Sequence, residues 1–149
     1  MITLPPDFKD FLRLLNVHDV DYLLVGGYAV ALHGYVRYTQ DMDIWVFTSP
    51  ENAAKVVLAL KEFGFAQSDE LLDVLQKEKR VIGMGIPPVK IEVITTIDGV
   101  SFVECFRNRL TIEVDGVSVN YLSLPDLLKN KKASGRFKDL NDLEHLPVG

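Results

Sequence analysis

The stretch DYLLVGGYAVALHGYVRYTQDMDIWVF, residues 21–47, restricts the possible folds more than any other part of the chain. DYLLV is a short apolar run closed by Gly26-Gly27, as expected of a buried strand that ends in a turn. YAVALHG suits a helix packed closely behind that strand. DMDIWVF alternates charged and apolar residues and then turns wholly apolar, which is the pattern of a strand whose first residues emerge at a sheet edge. A strand, a glycine turn, a helix and a second strand in so short a span commit the chain to a sheet with helices laid against it.

The remaining segments extend that plan. Phe8, Phe11, Leu12 and Leu15 fall at helical spacing after Pro5-Pro6 and Asp7, so a first helix is expected there. Thr48, Ser49, Pro50 and Glu51 open another, with Ala53, Val56, Val57, Leu60 and Phe63 on one face and Gly64 at its end. A helix is expected from about Asp69 to Lys77, then two strands, RVIGMGI and VKIEVIT, joined tightly at Pro87-Pro88. A helical turn from Phe102 to Arg107 leads to LTIEV and VSVNY, and the Asp115-Gly116 pair between them is the strongest hairpin signal in the chain. Leu124-Pro125-Asp126 starts a helical tail that closes with LNDLEHL. The expected class is α+β: a mixed central β-sheet flanked by helices, with a β-hairpin and C-terminal helices.

A length of 149 residues without repeats or a break in composition is expected to make one domain over 1–149, burying roughly 70% of its unfolded surface. Cys105 is the only cysteine, which excludes an intramolecular disulfide and a cysteine-built zinc site. The opening MITLPPDFKDFL has neither the basic nor the apolar region of a signal peptide, so a cytoplasmic location is expected. No apolar run approaches the ~20 residues needed to cross a bilayer, and no membrane role is expected. The net charge of −5 argues against an extended nucleic-acid surface but leaves room for small phosphorylated ligands. Against that average, KNKKASGRFK gathers Lys129, Lys131, Lys132, Arg136 and Lys138 with no acid among them.

Asp41 and Asp43 are two apart, so on a strand they share a face with Cα atoms about 6.5 to 7 Å apart. Two carboxylates so close repel unless a cation or basic side chain lies between them. A solvated strand end beside Arg37 or Lys90 is one reading of the pair. The other depends on Glu92, which lies mid-strand in KIEVI on the face opposite the apolar Val89, Ile91 and Val93. If its strand adjoins that of Asp41 and Asp43, three acids converge, a donor set that hard Mg²⁺ or Mn²⁺ ions accept together with water and phosphate oxygens. Glu92 could instead pair with Lys90 on its own strand.

Gly26-Gly27, closing a strand and opening a helix, lets backbone N–H groups approach an anion, although a tight turn alone also calls for such a pair. The spacing is not the G-x-G-x-x-G of a Rossmann turn. Arg37 and Thr39 lie between the turn and the aspartates, where they could bind phosphate, bridge to Asp41, or fix the loop by bonding those same acids. Lys129, Lys132 and Arg136 would share a helix face if the helix passes Gly135, either as a solvated face or with Lys132, Arg136 and then Lys138 binding a triphosphate. His18, His33 and His145 have no metal-ligand spacing.

Taken together, Gly26-Gly27 followed by R-x-T-x-D-x-D resembles the nucleotidyltransferase superfamily, which has the DNA polymerase β fold. Within it, the string GGYAVALHG resembles the small bacterial branch that includes the nucleotidyltransferase-like toxins of abortive-infection systems. The similarity is close over Val25 to Phe47 and looser at the Glu92 strand and the tail ASGRFKDLNDL. It implies that Asp41, Asp43 and Glu92 bind catalytic Mg²⁺ or Mn²⁺ and that Gly26 and Gly27 hold an NTP. The family commonly has Gly-Ser where this chain has Gly26-Gly27, and often an Asp as third acid. The expected function is transfer of an NMP from an NTP to a hydroxyl on a small molecule, RNA end or protein. The alternatives are a catalytically weak or inactive module of this fold that binds a nucleotide or a protein partner, of toxin–antitoxin type, and a phosphodiesterase using the same acids.

Overall fold

In the computed structural model, which describes residues 3–147, helices α1 (Pro6–Val17), α2 (Gly26–Leu32) and α3 (Pro50–Phe63) alternate with strands β1 (Tyr22–Val25) and β2 (Asp41–Val46). Strands β3 (Val81–Ile86) and β4 (Val89–Ile94), helix α4 (Phe102–Arg107), strands β5 (Leu110–Val114) and β6 (Val117–Tyr121), and helices α5 (Leu124–Ser134) and α6 (Phe137–His145) follow. The two residues at each end of the expected 1–149 unit lie outside the described residues. The six strands make one sheet in the order β3-β4-β2-β1-β6-β5. β2 runs parallel to β4 and β1 to β6, and the other neighbours are antiparallel, so the sheet is mixed as expected.

Alternation along the strands sends apolar side chains to both faces. On one, Met42, Ile44, Ile91 and Val93 pack with Phe8, Phe11 and Leu12 of α1 and Val56 and Leu60 of α3. On the other, Leu23, Val25 and Trp45 pack with Cys105 of α4, Leu127 of α5 and Leu146. The second layer is the smaller one, and near α5 and α6 it gives way to charge.

Local signals place most boundaries. Ser49 Oγ accepts from the Asn52 amide at 3.2 Å to cap α3, and Gly64, at φ 102°, ends it in the left-handed region. The β5–β6 turn is Asp115-Gly116 with φ of 54° and 82°, as a two-residue primed turn requires. One element differs from expectation. The segment expected as a helix from about Asp69 to Lys77 is two short 3₁₀ stretches, Ser68–Leu71 and Val74–Gln76. Only Ser68 and Leu75 within them are buried, so no continuous apolar stripe holds an α-helix against the core. No helix among the described residues is long and apolar enough to cross a membrane.

Candidate active site

Sheet register assembles the site. β1 ends where β2 begins: Val25 pairs with Asp43 across the antiparallel ladder, which sets the Gly26-Gly27 turn beside that carboxylate. On the other side of β2, Asp43 pairs with Glu92 and Asp41 with Lys90 in the parallel ladder to β4. The strand of Glu92 therefore adjoins the strand of the two aspartates, and all three acids emerge on the face that also carries Trp45 and Ile94. Glu92 is close enough to raise the pKa of Asp43 by repulsion, and its Oε1 lies 3.2 Å from Lys90 Nζ. Pairing with Lys90 and convergence on the aspartates thus occur together. The side chains do not close into a cage: among the described residues no three His, Cys, Asp or Glu side chains are grouped as metal ligands.

Asp43 is the most perturbed acid of the three. Burial, then repulsion from Glu92 and Asp41, pushes its pKa up to about 7, with Lys138 pulling the other way. Its Oδ1 is buried and finds no hydrogen-bond partner among the described residues. A buried acceptor left unpaired is unfavourable and rare. A hard divalent cation would satisfy that oxygen and relieve the repulsion, and an all-carboxylate donor set is the chemistry such ions favour. In donor type and in its unsatisfied oxygen the site fits the ion.

The two glycines are demanded by this arrangement. Gly26 has φ +65°, and a Cβ there would overlap Asp43 Oδ2. A Cβ on Gly27 would lie 2.8 Å from Thr39 Oγ1 and 3.2 Å from an Arg37 guanidinium nitrogen. Thr39 Oγ1 donates to the Asp41 carbonyl at 3.2 Å, so the threonine braces the entry to β2 above the turn. Gly26→Ala is expected to cost about 2 kcal/mol of stability, from left-handed strain and displacement of Asp43; urea unfolding checks this.

Asp43 and Gly26 open onto a cleft of about 250 Å³ lined also by Asp98, Lys131, Ser134 and Arg136. A larger cleft, about 620 Å³, lies between the end of α2 and the β5–β6 turn; Leu32, Val36 and Ile112 line it with Glu113 and Asp115, and no cation does.

The basic residues are distributed differently from the sequence expectation. α5 stops at Ser134 because Gly135 takes the left-handed region at φ 63°, so Lys129, Lys132 and Arg136 do not share a helix face; Arg136 occupies the cap position of α6. Arg37 reaches neither Asp41 nor Asp43. Its Nε and Nη2 donate to Asp142 Oδ1 and Oδ2 at 2.7 and 2.9 Å, 105 residues away. Lys132 is exposed, whereas its neighbour Lys131 is buried, with Nζ 2.8 Å from Asp139 Oδ1 and 3.2 Å from Asp142 Oδ2. Arg136 Nε donates to Asp139 Oδ2 at 2.8 Å, and the Ser134 hydroxyl donates to the same oxygen.

Burial alone would raise the pKa values of Asp139 and Asp142. Hydrogen bonds from Lys131, Ser134 and Arg136 to the first, and from Arg37 and Lys131 to the second, outweigh it and hold both below the usual carboxylate range. This network ties the loop carrying Arg37 and Thr39 to α5 and α6. Sequence reasoning passed over Asp139 and Asp142. Their i, i+3 spacing on one helix face, after a lysine-rich helix, was the available signal.

A family model described as "Nucleotidyltransferase of unknown function (DUF6036)" matches residues 7–148. The crystal structure of a proposed nucleotidyltransferase from Thermotoga maritima superposes with a TM-score of 0.62 at 18% identity, covering 96% of this chain and 94% of that one. An antigenic nucleotidyltransferase-like protein from Paracoccidioides brasiliensis gives a TM-score of 0.53 at 19% identity, covering 95% and 76%. At these identities the likeness shows the fold. No curated protein matches the chain.

Proposed function

The chain belongs to a nucleotidyltransferase family of unknown function, and from that premise we propose that it moves an NMP from an NTP to a hydroxyl acceptor with the help of Mg²⁺ or Mn²⁺. The observation that carries this reading is Asp43, set by register between the Gly26-Gly27 turn and Glu92 with one oxygen unsatisfied.

Asp41, Asp43 and Glu92 would hold the ion. When bound, it neutralises phosphate charge and activates the attacking hydroxyl. The chain's own groups do the positioning. With its pKa pushed up to about 7, Asp43 holds a proton that cation binding would displace, so metal affinity should rise with pH through that range. Gly26 keeps side-chain bulk away from Asp43 and Gly27 keeps it away from Thr39 and Arg37, leaving the turn open to a triphosphate. Arg136, its side chain 68% exposed, spends Nε on Asp139 and keeps its terminal nitrogens for phosphate, beside the exposed Lys132 and Lys138. Thr39 is near enough to the turn to serve the same phosphates through its hydroxyl. Arg37 acts through Asp142, holding Thr39 in place.

A second reading is favoured by the open arrangement of the three acids and the Lys90–Glu92 pair. It is a module of this fold that binds nucleotide or a protein partner, as in toxin–antitoxin pairs, without turnover. Calorimetry with each NTP and Mg²⁺, alongside a pyrophosphate assay over small hydroxyl compounds, RNA and protein acceptors, separates the two. The enzyme reading expects Mg²⁺-dependent NTP binding and pyrophosphate release with at least one acceptor class. Binding without release throughout would favour the module, and no binding would leave the protein-partner form of it.

A further inference from the structure

The nucleotidyltransferase reading accounts for the carboxylates and cations but not for Phe137. This ring is 93% exposed, the most exposed of the large apolar side chains among the described residues. Helix α6 is inverted in polarity. Its buried face carries Asp139 and Asp142, and its outer face carries Phe137 and the half-exposed Leu140. A phenylalanine left in water forgoes the stabilisation that burial would bring and gives the core nothing in return.

Its position is specific. Phe137 is the first helical residue of α6, directly after Arg136, which lines the Asp43 cleft, and directly before Lys138, whose charge reaches Asp43. The segment is held from beneath, because Arg136 and Ser134 both donate to the buried Asp139. The ring is therefore a flat apolar surface on a braced backbone, one residue along the chain from Arg136, which lines the cleft together with Lys131, Asp43 and Asp98. Such a surface next to phosphate-binding charges suits a nucleobase, since every base has a π-face and aromatic stacking tolerates all of them.

Resting on the proposed nucleotide-binding site, we propose that Phe137 is the platform on which the donor nucleobase stacks while the triphosphate occupies the cleft beside Gly26, Asp43 and Arg136. Stacking without hydrogen-bond readout implies weak base selectivity, so ATP, GTP, CTP and UTP bind within a few-fold of one another.

The test uses full-length wild type, Phe137→Ala and Phe137→Trp, titrated calorimetrically with non-hydrolysable NTPs and with inorganic tripolyphosphate, all with Mg²⁺. Phe137→Ala should weaken each NTP by roughly 10- to 100-fold and leave tripolyphosphate, which has no base, unchanged. Phe137→Trp should keep NTP affinity, and its emission should be quenched by NTP but not by tripolyphosphate; Trp45, the other indole, is buried. Unchanged NTP affinity in Phe137→Ala, or equal loss of NTP and tripolyphosphate, overturns the platform while the nucleotide site stands. A wild-type protein that binds no NTP overturns both.

Discussion

Asp43→Asn is expected to abolish nucleotidyl transfer, by a factor of at least about 10³, and to make the protein more stable than wild type at pH 8. Both effects come from one carboxylate. As the acid between the Gly26 turn and Glu92, it is the ligand the proposed chemistry can least lose. As a buried carboxyl with its pKa raised to about 7, it opposes folding once ionised. The folded chain holds a proton that the unfolded chain gives up near pH 4. Stability from this group is therefore greatest below pH 4, falls as pH rises toward 7, and stays at its lowest above that. Asparagine carries no such burden. The gain at pH 8 should be about 2 kcal/mol after screening at the open side of the cleft, or roughly 4–8 °C in Tm. Added Mg²⁺ should raise the wild-type Tm at pH 8 and leave that of Asp43→Asn nearly unmoved. Thermal melts at pH 5 and pH 8, with and without Mg²⁺, check the whole pattern. A variant less stable than wild type at pH 8 would contradict the electrostatic account even if activity were lost.

Lys131→Met is expected to have the opposite character, with a large loss of stability from a residue outside the carboxylate cluster. Removing the buried ammonium leaves Asp139 and Asp142, themselves fully buried, with only Arg136, Ser134 and Arg37 as partners. Breaking a buried ion network from one side costs about 3–5 kcal/mol at pH 7. The pH dependence follows from the depressed carboxylates. In wild type their contribution is complete above about pH 4, the ordinary carboxylate value, and is lost as pH falls through their lower folded values. Without Lys131 those folded values rise, so the variant's deficit should shrink on going from pH 7 to about pH 3, below the ordinary carboxylate value. Urea titrations at the two pH values measure this, and a deficit equal at both would mean that the lysine acts through packing alone.

These two residues also mark what can be read from the sequence and what cannot. The turn, the aspartate pair and the hairpin are local: Gly26-Gly27, Asp41-x-Asp43 and Asp115-Gly116 each carry their geometry within a few residues, and the sheet is built as they imply. The place of Glu92 was legible as a condition, because alternation puts it on the polar face of its strand but only sheet order can bring it beside Asp43. The α5–α6 network was not legible. Whether Lys131 or Lys132 points inward turns on one helical step of about 100°, and which acids of α6 turn inward depends on how that helix packs against α5. Arg37 illustrates the same limit: its partner lies 105 residues away, and nothing near Arg37 in sequence singles out Asp142. The expected helix at Asp69–Lys77 failed for the converse reason, since local propensity was present but no core stripe was there to hold it.

We propose that Asp41, Asp43 and Glu92 form the metal site of a nucleotide-binding cleft. Crystals soaked with Mn²⁺ and a non-hydrolysable NTP test it most directly, through the anomalous signal of the metal. The account predicts a Mn²⁺ peak ligated by Asp41 and Asp43, Glu92 turned from Lys90 toward it, and a triphosphate against Gly26-Gly27. A triphosphate bound with no metal at these carboxylates, or bound away from the Gly26 turn, would contradict it.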